Sequence, residues 1–253
     1  MTVVAVLADP PRPGLTLPRL AETSPLSEAE AAALGEAMLR DTLRAVERSG
    51  GELLVNYRPD DALPDAYVDT EQSAEEAIRT LADEALDAPE EARFEVQVGS
   101  TFDARAGNTL THLLREEGVQ SAAAVRADAP FLLRSTVDSA AMKLRTNGVV
   151  LGPSTDGRVY FAGFREPVDY DGAFALPEME TLVDRANDAD RDVGFIGMQP
   201  TVRTGEDLTT LVSSIRARWQ ADRVVPAHTA EFVVETGLAV VADDDGEPTL
   251  VRE

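Results

Sequence analysis

The hydrophobic pattern of the chain alternates short apolar runs with longer segments in which apolar residues recur every three or four positions. Residues 3–8 form a β-branched apolar run, which is typical of a buried strand. Residues 27–46 show the amphipathic spacing of a helix, and residues 52–57 return to the strand pattern. Because a strand, a helix and a second strand follow in this order, the pattern predicts a right-handed crossover in a parallel sheet.

The helix over residues 27–46 has recognisable ends. Ser27 and Glu30 have the spacing of a capping box, which predicts the N-terminus, and Gly50-Gly51 predicts the termination. Asp41 falls on the polar face of this helix among its arginines and glutamates.

The same alternation continues to the C-terminus. Further helices are predicted over residues 73–86, 103–117, 134–146, 177–189 and 204–219. Further strands are predicted over residues 93–98, 122–127, 149–151, 158–164 and 193–198, of which 158–164 has the pattern of an edge or antiparallel strand. Residues 238–242 and 249–251 flank a hairpin turn. We therefore expect one α/β domain over residues 1–220 with a mostly parallel sheet. The appendage over residues 221–253 carries a hairpin that could cover a sheet edge or pair with another subunit.

The charge composition of the chain limits which classes of molecule can be its binding partners. The chain has 253 residues with 46 acidic and 23 basic side chains, a net charge of −23, and Lys143 is its single lysine. So negative a surface repels nucleic-acid phosphates and anionic lipids, which argues against both as partners. An acidic excess spread along the chain favours a halophilic protein of a salt-rich cytoplasm. The N-terminus lacks a signal-peptide pattern, and no apolar stretch is long enough to span a bilayer, so we expect a cytoplasmic protein.

Two aspartates form the first candidate site. Asp128 and Asp156 each follow an apolar run that is predicted to be a strand. Ligands of α/β proteins gather beyond the carboxyl ends of such strands. Two carboxylates there suit a hard divalent cation such as Mg²⁺ or Mn²⁺. The alternative is that Asp-Ala-Pro and Asp-Gly are only turn formers.

The loop after the first strand is the second candidate. Gly14 could allow close approach to a pyrophosphate, and Arg19 could supply positive charge, although the loop could equally be a simple connection. Arg105 opens a predicted helix at which it could face the carboxyl edge of the sheet or the solvent. The chain has no cysteine, GxGxxG, P-loop, HExxH or GxSxG pattern, which argues against thiolate chemistry, a dinucleotide fingerprint, a zinc protease and a serine hydrolase.

Several segments carry a resemblance to one known family. Residues 152–160 (GPSTDGRVY) are similar to its GPAEDGGYY, and residues 127–130 (ADAP) to its strand-end GSDxP. Residues 11–20 are similar to its PxPGxxKTRL, residues 26–46 to the helix that follows, and residues 205–208 to its TPEDL. The chain thus resembles the small GT-A-type glycosyltransferase-like proteins of a domain-of-unknown-function family, some of them labelled radical-SAM/selenodomain-associated transferase. These are relatives of the nucleotide-diphospho-sugar transferases.

The resemblance implies a fold and a function. The fold would be the Rossmann-like three-layer α/β/α GT-A fold. The function would be a metal-dependent glycosyl- or nucleotidyltransferase that acts on a nucleotide-sugar or nucleoside triphosphate. By the same resemblance, Asp128 and Asp156 would be catalytic and would bind Mg²⁺ or Mn²⁺. Arg19, in the loop of Gly14, would contact phosphate, and Arg105 would contact the nucleotide.

The departures from the family leave two alternatives open. Asp9, Leu17 and Pro18 stand where the family has basic residues and threonine, and residues 201–204 (TVRT) replace its DVDT. A carboxylate that faces phosphate repels it, so Arg12, Arg19 and Arg158 would have to compensate. One alternative is a catalytically degenerate GT-A-like binding or scaffold protein. The other is an enzyme similar to phospholactate guanylyltransferase.

Overall fold

The computed structural model describes residues 1–253 and contains nine strands and eight α-helices. The strands are β1 (Thr2–Ala8), β2 (Glu52–Tyr57), β3 (Arg93–Val96), β4 (Ser121–Arg126), β5 (Val149–Pro153), β6 (Val159–Phe164), β7 (Val193–Phe195), β8 (Leu238–Ala242) and β9 (Pro248–Arg252). The helices are α1 (Pro18–Thr23), α2 (Glu28–Glu47), α3 (Ala74–Ala85), α4 (Phe102–Thr111), α5 (Arg134–Lys143), α6 (Glu178–Asp188), α7 (Gly205–Gln220) and α8 (Ala227–Glu235).

Seven strands form the central sheet, in the order β3-β2-β1-β4-β6-β5-β7. All neighbours pair in parallel except β6, which runs antiparallel between β4 and β5. The predicted mostly parallel sheet is confirmed, as is the antiparallel direction of β6. The alternative position of β6 at an edge is wrong, because its six residues are buried between two neighbours.

Helices cover both faces of the sheet, so successive residues of β1 enter different cores. Val4 and Val6 pack with apolar residues of α2, α3 and α5, whereas Val3 and Ala5 pack with α4 and α6. A strand buried on both faces must be apolar throughout, which explains the continuous apolar run of β1. The three-layer α/β/α arrangement predicted from the sequence is therefore confirmed.

A third core joins the C-terminal residues to the rest of the molecule. It contains Leu34 and Met38 of α2, together with buried residues of α1, α7, α8 and β8. The hairpin β8–β9 forms a separate two-stranded sheet, and its Leu238 lies in this third core. The hairpin thus packs on helices instead of extending the central sheet. Helices α1 and α8 lie in segments for which the sequence predicted no helix.

The predicted helix N-termini agree with the structure, whereas α2 ends at Glu47, before Gly50-Gly51, and neither glycine has a positive φ. Ser27 and Glu30 form a complete capping box, and the same arrangement opens α3 and α7. The predicted helix over residues 103–117 is α4 followed by a π-helical turn at His112–Glu116. None of the helices combines the length and the apolar character needed to cross a lipid bilayer.

Candidate functional site

An open cavity of about 200 Å³ lies beyond the carboxyl ends of β1 and β4. These strands are neighbours, and the chain leaves β1 toward β2 on one side and β4 toward β5 on the other. Crevices of this kind, at a point where the strand order reverses, are the usual ligand sites of open α/β sheets. The lining residues are Leu7, Ala8, Asp9, Pro11, Leu15, Thr16, Leu17, Gly35, Met38, Leu39, Phe102, Arg126, Ala127, Asp128 and Arg203.

The loop between β1 and α1 forms the apolar wall of this cavity and packs against α2. At Gly35, an added Cβ would lie 2.3 Å from the methyl group of Thr16, so the close approach requires glycine. Arg12 does not point into the cavity but donates hydrogen bonds to Asp60 and to the carbonyls of Tyr67 and Gln72. Arg12 therefore anchors the loop and is not among the residues that line the cavity.

Asp128 and Arg203 form a close ion pair at the opposite wall. Arg203 Nη2 lies 2.5 Å from Asp128 Oδ2, and the Asp128 side chain is 13% exposed. The backbone holds the two segments together, because Val202 N–H donates to Asp128 C=O at 2.8 Å. Asp128 Oδ1 and Arg203 Nε are both buried without a hydrogen-bond partner. The pair thus contains one acceptor and one donor that are buried and unpaired.

Arg126 is held by a buried carboxylate and an aromatic ring. Its Nη2 donates to Glu178 Oε1 at 2.9 Å, and its guanidinium carbon lies 3.9 Å from the centroid of the Phe102 ring. Glu178 is 1% exposed and also accepts from Arg158 and from Val159 N–H, at 3.3 and 3.0 Å. Burial lowers the pKa of Arg126, opposed by the carboxylates of Glu178 and Asp128. These contacts fix the orientation of the arginine side chain.

Asp9 brings a negative charge to the cavity, and two further arginines act on it. Arg58 Nη1 lies 3.7 Å from Asp9 Oδ2. Burial raises the pKa of Asp9, and the positive charges of Arg58 and Arg105 oppose that shift. Arg105 donates from Nε to Gln97 Oε1 at 2.7 Å, and burial lowers its pKa. The repulsion that Asp9 would exert on phosphate is therefore partly offset.

Taken together, the charged side chains described above carry more positive than negative charge. We call five of them the arginine cluster: Arg58, Arg105, Arg126, Arg158 and Arg203. The carboxylates that act on it are Asp9, Asp128 and Glu178. Five positive and three negative side chains leave two positive charges in excess, in a chain whose net charge is −23.

The residues predicted from the sequence lie in different places. Asp128 lines the cavity. Arg105 does not line the cavity, but its positive charge acts on Asp9, which does. Asp156 is exposed in the turn Thr155–Gly157, with a left-handed φ of 57°, and does not line the cavity. Gly14 lies beside Tyr67, and Arg19 is exposed on α1, so neither lines the cavity either. Ligand-binding roles for Gly14, Arg19 and Arg105 stay predictions.

The residues at the cavity do not fit a divalent cation as they are placed. Such an ion takes several oxygen ligands, mainly from carboxylates and water. One oxygen of Asp128 is paired with Arg203, and Asp156 does not reach the same cavity. A metal ion at Asp128 would also be repelled by the positive charges of Arg126 and Arg203, which both interact with Asp128. We therefore derive no step through a metal ion.

Three residues that shape the cavity wall, Arg126, Arg203 and Glu178, were not predicted from the sequence as site residues. Arg126 ends an otherwise apolar strand, and a charged residue at such a position was a usable signal. Arg203 stands where the family's DVDT has its second aspartate, and the sequence indicated only that this aspartate is lost. Glu178 follows Pro177 at the start of α6 and has no distinguishing pattern, since its partners come from β4 and β6.

Part of the chain matches a known protein family. Residues 60–181 match the model of the family described as "Uncharacterized protein conserved in bacteria (DUF2064)". This stretch includes Arg105, Arg126, Asp128 and Asp156, and for it the resemblance to a domain-of-unknown-function family is confirmed. No curated protein matches the chain.

One solved structure confirms the fold. A proposed nucleotide-diphospho-sugar transferase from Desulfovibrio desulfuricans G20 superposes with a TM-score of 0.72 and 20% identity, covering 93% of this chain and 94% of that chain. A cytidylyltransferase from Leptospira borgpetersenii serovar Hardjo-bovis (strain JB197) gives a TM-score of 0.49 and 11% identity, covering 92% of this chain and 94% of that one. The GT-A-like architecture expected from the sequence is shown by the first of these.

Proposed function

We propose that the cavity binds the phosphates of a nucleotide-activated donor, and that the protein is a transferase acting on a nucleotide-sugar or a nucleoside triphosphate. The observation that carries this proposal is the arginine cluster. Two of its members, Arg126 and Arg203, line the cavity, and five neighbouring arginines in a chain of net charge −23 are an arrangement that suits an anion.

The two walls of the cavity support a nucleotide in particular. Arg126 and Arg203 line one wall, and Leu15, Leu17 and Met38 contribute to the apolar wall opposite. A nucleotide joins a strongly charged phosphate chain to a flat, weakly polar base, so its two ends match the two walls. Guanidinium groups bind phosphate oxygens in a planar, bidentate geometry.

Glycosyl transfer and nucleotidyl transfer would both use the guanidinium groups of Arg126 and Arg203. In glycosyl transfer, an acceptor oxygen attacks the anomeric carbon, and the bond to the nucleoside diphosphate breaks. In nucleotidyl transfer, the acceptor attacks the α-phosphorus, and pyrophosphate leaves. Negative charge grows on a phosphate-containing leaving group in both cases. Fixed guanidinium groups of Arg126 and Arg203 would stabilise that charge most in the transition state, which is the requirement for catalysis.

The proposal is tested by titrating UDP-, GDP- and CDP-sugars and GTP into the protein in high KCl. We expect one class to bind, and Arg126→Gln to weaken its binding at least about tenfold, or about 1.4 kcal/mol. The matched control is Arg216→Gln, since Arg216 pairs with Glu253 on the surface, away from the cavity. Thermal melts show whether each variant is folded. Absence of binding at millimolar concentration for every ligand would contradict the proposal.

A non-catalytic binding protein is the second candidate. It is favoured by Asp9 at the cavity and by the pairing of Arg126 and Arg203 with carboxylates. Nucleotide binding without release of nucleoside diphosphate or pyrophosphate, across sugar, alcohol and phosphate acceptors, would indicate this function. Pyrophosphate release from GTP alone would instead indicate the guanylyltransferase-like alternative.

A further inference from the structure

The position beside Asp128 that a metal ion would need is taken by a side chain of this protein. Arg203 approaches Asp128 Oδ2 at 2.5 Å, and both residues line the cavity. The backbone bond from Val202 to Asp128 keeps the two segments adjacent, so the pair does not depend on the side chains alone. Arg203 is 27% exposed, which leaves part of its guanidinium accessible from the cavity.

We infer that Arg203 neutralises Asp128 in place of a divalent cation, and that the cavity binds the phosphates of a nucleotide without a metal ion. This inference rests on the proposed function. It specifies how the phosphates are held: by the guanidinium groups of Arg203 and Arg126 directly. A metal-dependent site would need Asp128 as a ligand instead.

The remaining exposure of Arg203 and Arg126 fits direct binding. A guanidinium carries five N–H donors. Arg203 uses Nη2 for Asp128, and its Nε has no partner. Arg126 likewise has a buried Nε without a partner, while its Nη2 donates to Glu178. Because both Nε atoms are buried, phosphate would meet the other N–H groups of these side chains, which are 15% (Arg126) and 27% (Arg203) exposed. Each arginine is thus oriented by one carboxylate and stays partly accessible, which is the arrangement expected of a preorganised anion site.

Electrostatics disfavours adding a metal ion to this arrangement. Asp128 Oδ1 is buried and Oδ2 is paired with Arg203, so a divalent cation at Asp128 would have to displace Arg203. It would then face Arg126, which already interacts with Asp128. Like charges at such distances cost free energy in a partly buried site. Removal of Arg203 should reverse the preference, because Asp128 would then be an uncompensated carboxylate beside a phosphate site.

The test measures binding of UDP, GDP, CDP and GTP by calorimetry in high KCl, with either EDTA or Mn²⁺. In the unaltered protein, we expect the Kd to differ by less than about twofold between the two conditions. In Arg203→Ala, binding in EDTA should weaken at least about tenfold, and Mn²⁺ should recover most of the loss. In the double variant Arg203→Ala/Asp128→Asn, Mn²⁺ should have no effect. Arg216→Ala is the matched control and should behave as the unaltered protein.

Electron paramagnetic resonance of Mn²⁺ gives a readout that is independent of nucleotide. Arg203→Ala should retain Mn²⁺ more tightly than the unaltered protein does, and the double variant should lose that gain. Nucleotide binding to the unaltered protein that requires Mn²⁺ would overturn this inference and leave the proposed function standing. No nucleotide binding in either condition would overturn the proposed function and this inference with it.

Discussion

Asp41, a buried aspartate that does not line the cavity, connects two segments that are distant in the sequence. Asp41 lies on α2, and its carboxylate accepts from the backbone N–H groups of His228 and Thr229 at 3.0 and 2.8 Å, and from the Thr229 hydroxyl at 2.7 Å. Helix α8 begins after Pro226 and has no side-chain cap of its own. Asp41 therefore caps α8 from a position 187 residues earlier in the chain.

Replacing Asp41 should destabilise the fold through this contact. In Asp41→Ala, buried donors of α8 lose their acceptor, and we expect the free energy of unfolding to fall by about 2–3 kcal/mol. Asp41→Asn keeps one acceptor oxygen and should cost less. Urea unfolding in high KCl measures the change, with the exposed helical Asp184→Ala as control. Equal stability of the Asp41→Ala and Asp184→Ala variants would contradict the capping role.

The sequence could not reveal this contact. Helical spacing puts Asp41 on the polar face of α2, yet the residue is 9% exposed. Spacing within a helix shows which face of the helix a residue occupies, but it does not show what packs against that face. Here the partner of Asp41 is α8, which lies near the other end of the chain. Asp128 could be found because an aspartate after an apolar run is placed by its own strand. Its pairing with Arg203 depends on β7 and the segment after it.

Among the elements, α2 contacts two cores and the cavity loop at once. Leu39 and Leu43 pack toward the sheet, and Leu34 and Met38 pack toward α7 and α8. Gly35 is the point at which the loop after β1 approaches the helix. A glycine within a helix costs about 1 kcal/mol relative to alanine, so its presence here indicates that the close approach of the loop outweighs helix propensity.

Gly35→Ala should therefore destabilise the protein instead of stabilising the helix. The new methyl would lie 2.3 Å from the Thr16 methyl, and Thr16 Oγ1 is held by the backbone of Arg12 and Pro10. Overpacking of this kind typically costs about 1–3 kcal/mol, which exceeds the gain in helix propensity. Urea unfolding of the single variant should show a net loss of about 1–2 kcal/mol.

A second substitution separates the clash from other effects. Thr16→Ser keeps the hydroxyl and removes the methyl, so the double variant Gly35→Ala/Thr16→Ser should regain the lost stability. A double-mutant cycle measures this coupling between the two positions. Additive free-energy changes for the two substitutions would show that Gly35 is not required by the loop.

Elements with their own signals were predicted well, and those defined by their neighbours were not. Helices α2, α3 and α7 carry capping boxes and regular apolar spacing, and all three were found. Helix α1 has only six residues and follows Leu17, whose backbone is in the left-handed conformation. Helix α8 is capped by Asp41, a residue of α2. The interior position of β6 follows from pairing with both β4 and β5, which no local pattern encodes.

At the scale of the whole molecule, charge is distributed unevenly. The chain carries 46 acidic and 23 basic side chains, yet the arginine cluster and the three carboxylates that act on it have two positive charges in excess. The remaining surface is therefore even more negative than the net charge suggests. Salt should act on these two regions in opposite directions, because it screens the repulsion between surface carboxylates and also screens the attraction between arginines and phosphate.

Raising KCl from about 0.2 to about 2 M should stabilise the fold and weaken nucleotide binding. The halophilic character predicted from composition leads us to expect a Tm higher by at least about 5 °C, or about 2 kcal/mol. Calorimetric melts measure the first effect, and the Kd of the best-binding nucleotide at each salt concentration measures the second. Sucrose at matched osmolality is the control, since it favours compact states without screening charge. A Tm that is unchanged by KCl, or raised equally by sucrose, would show that surface repulsion does not limit the stability of this protein.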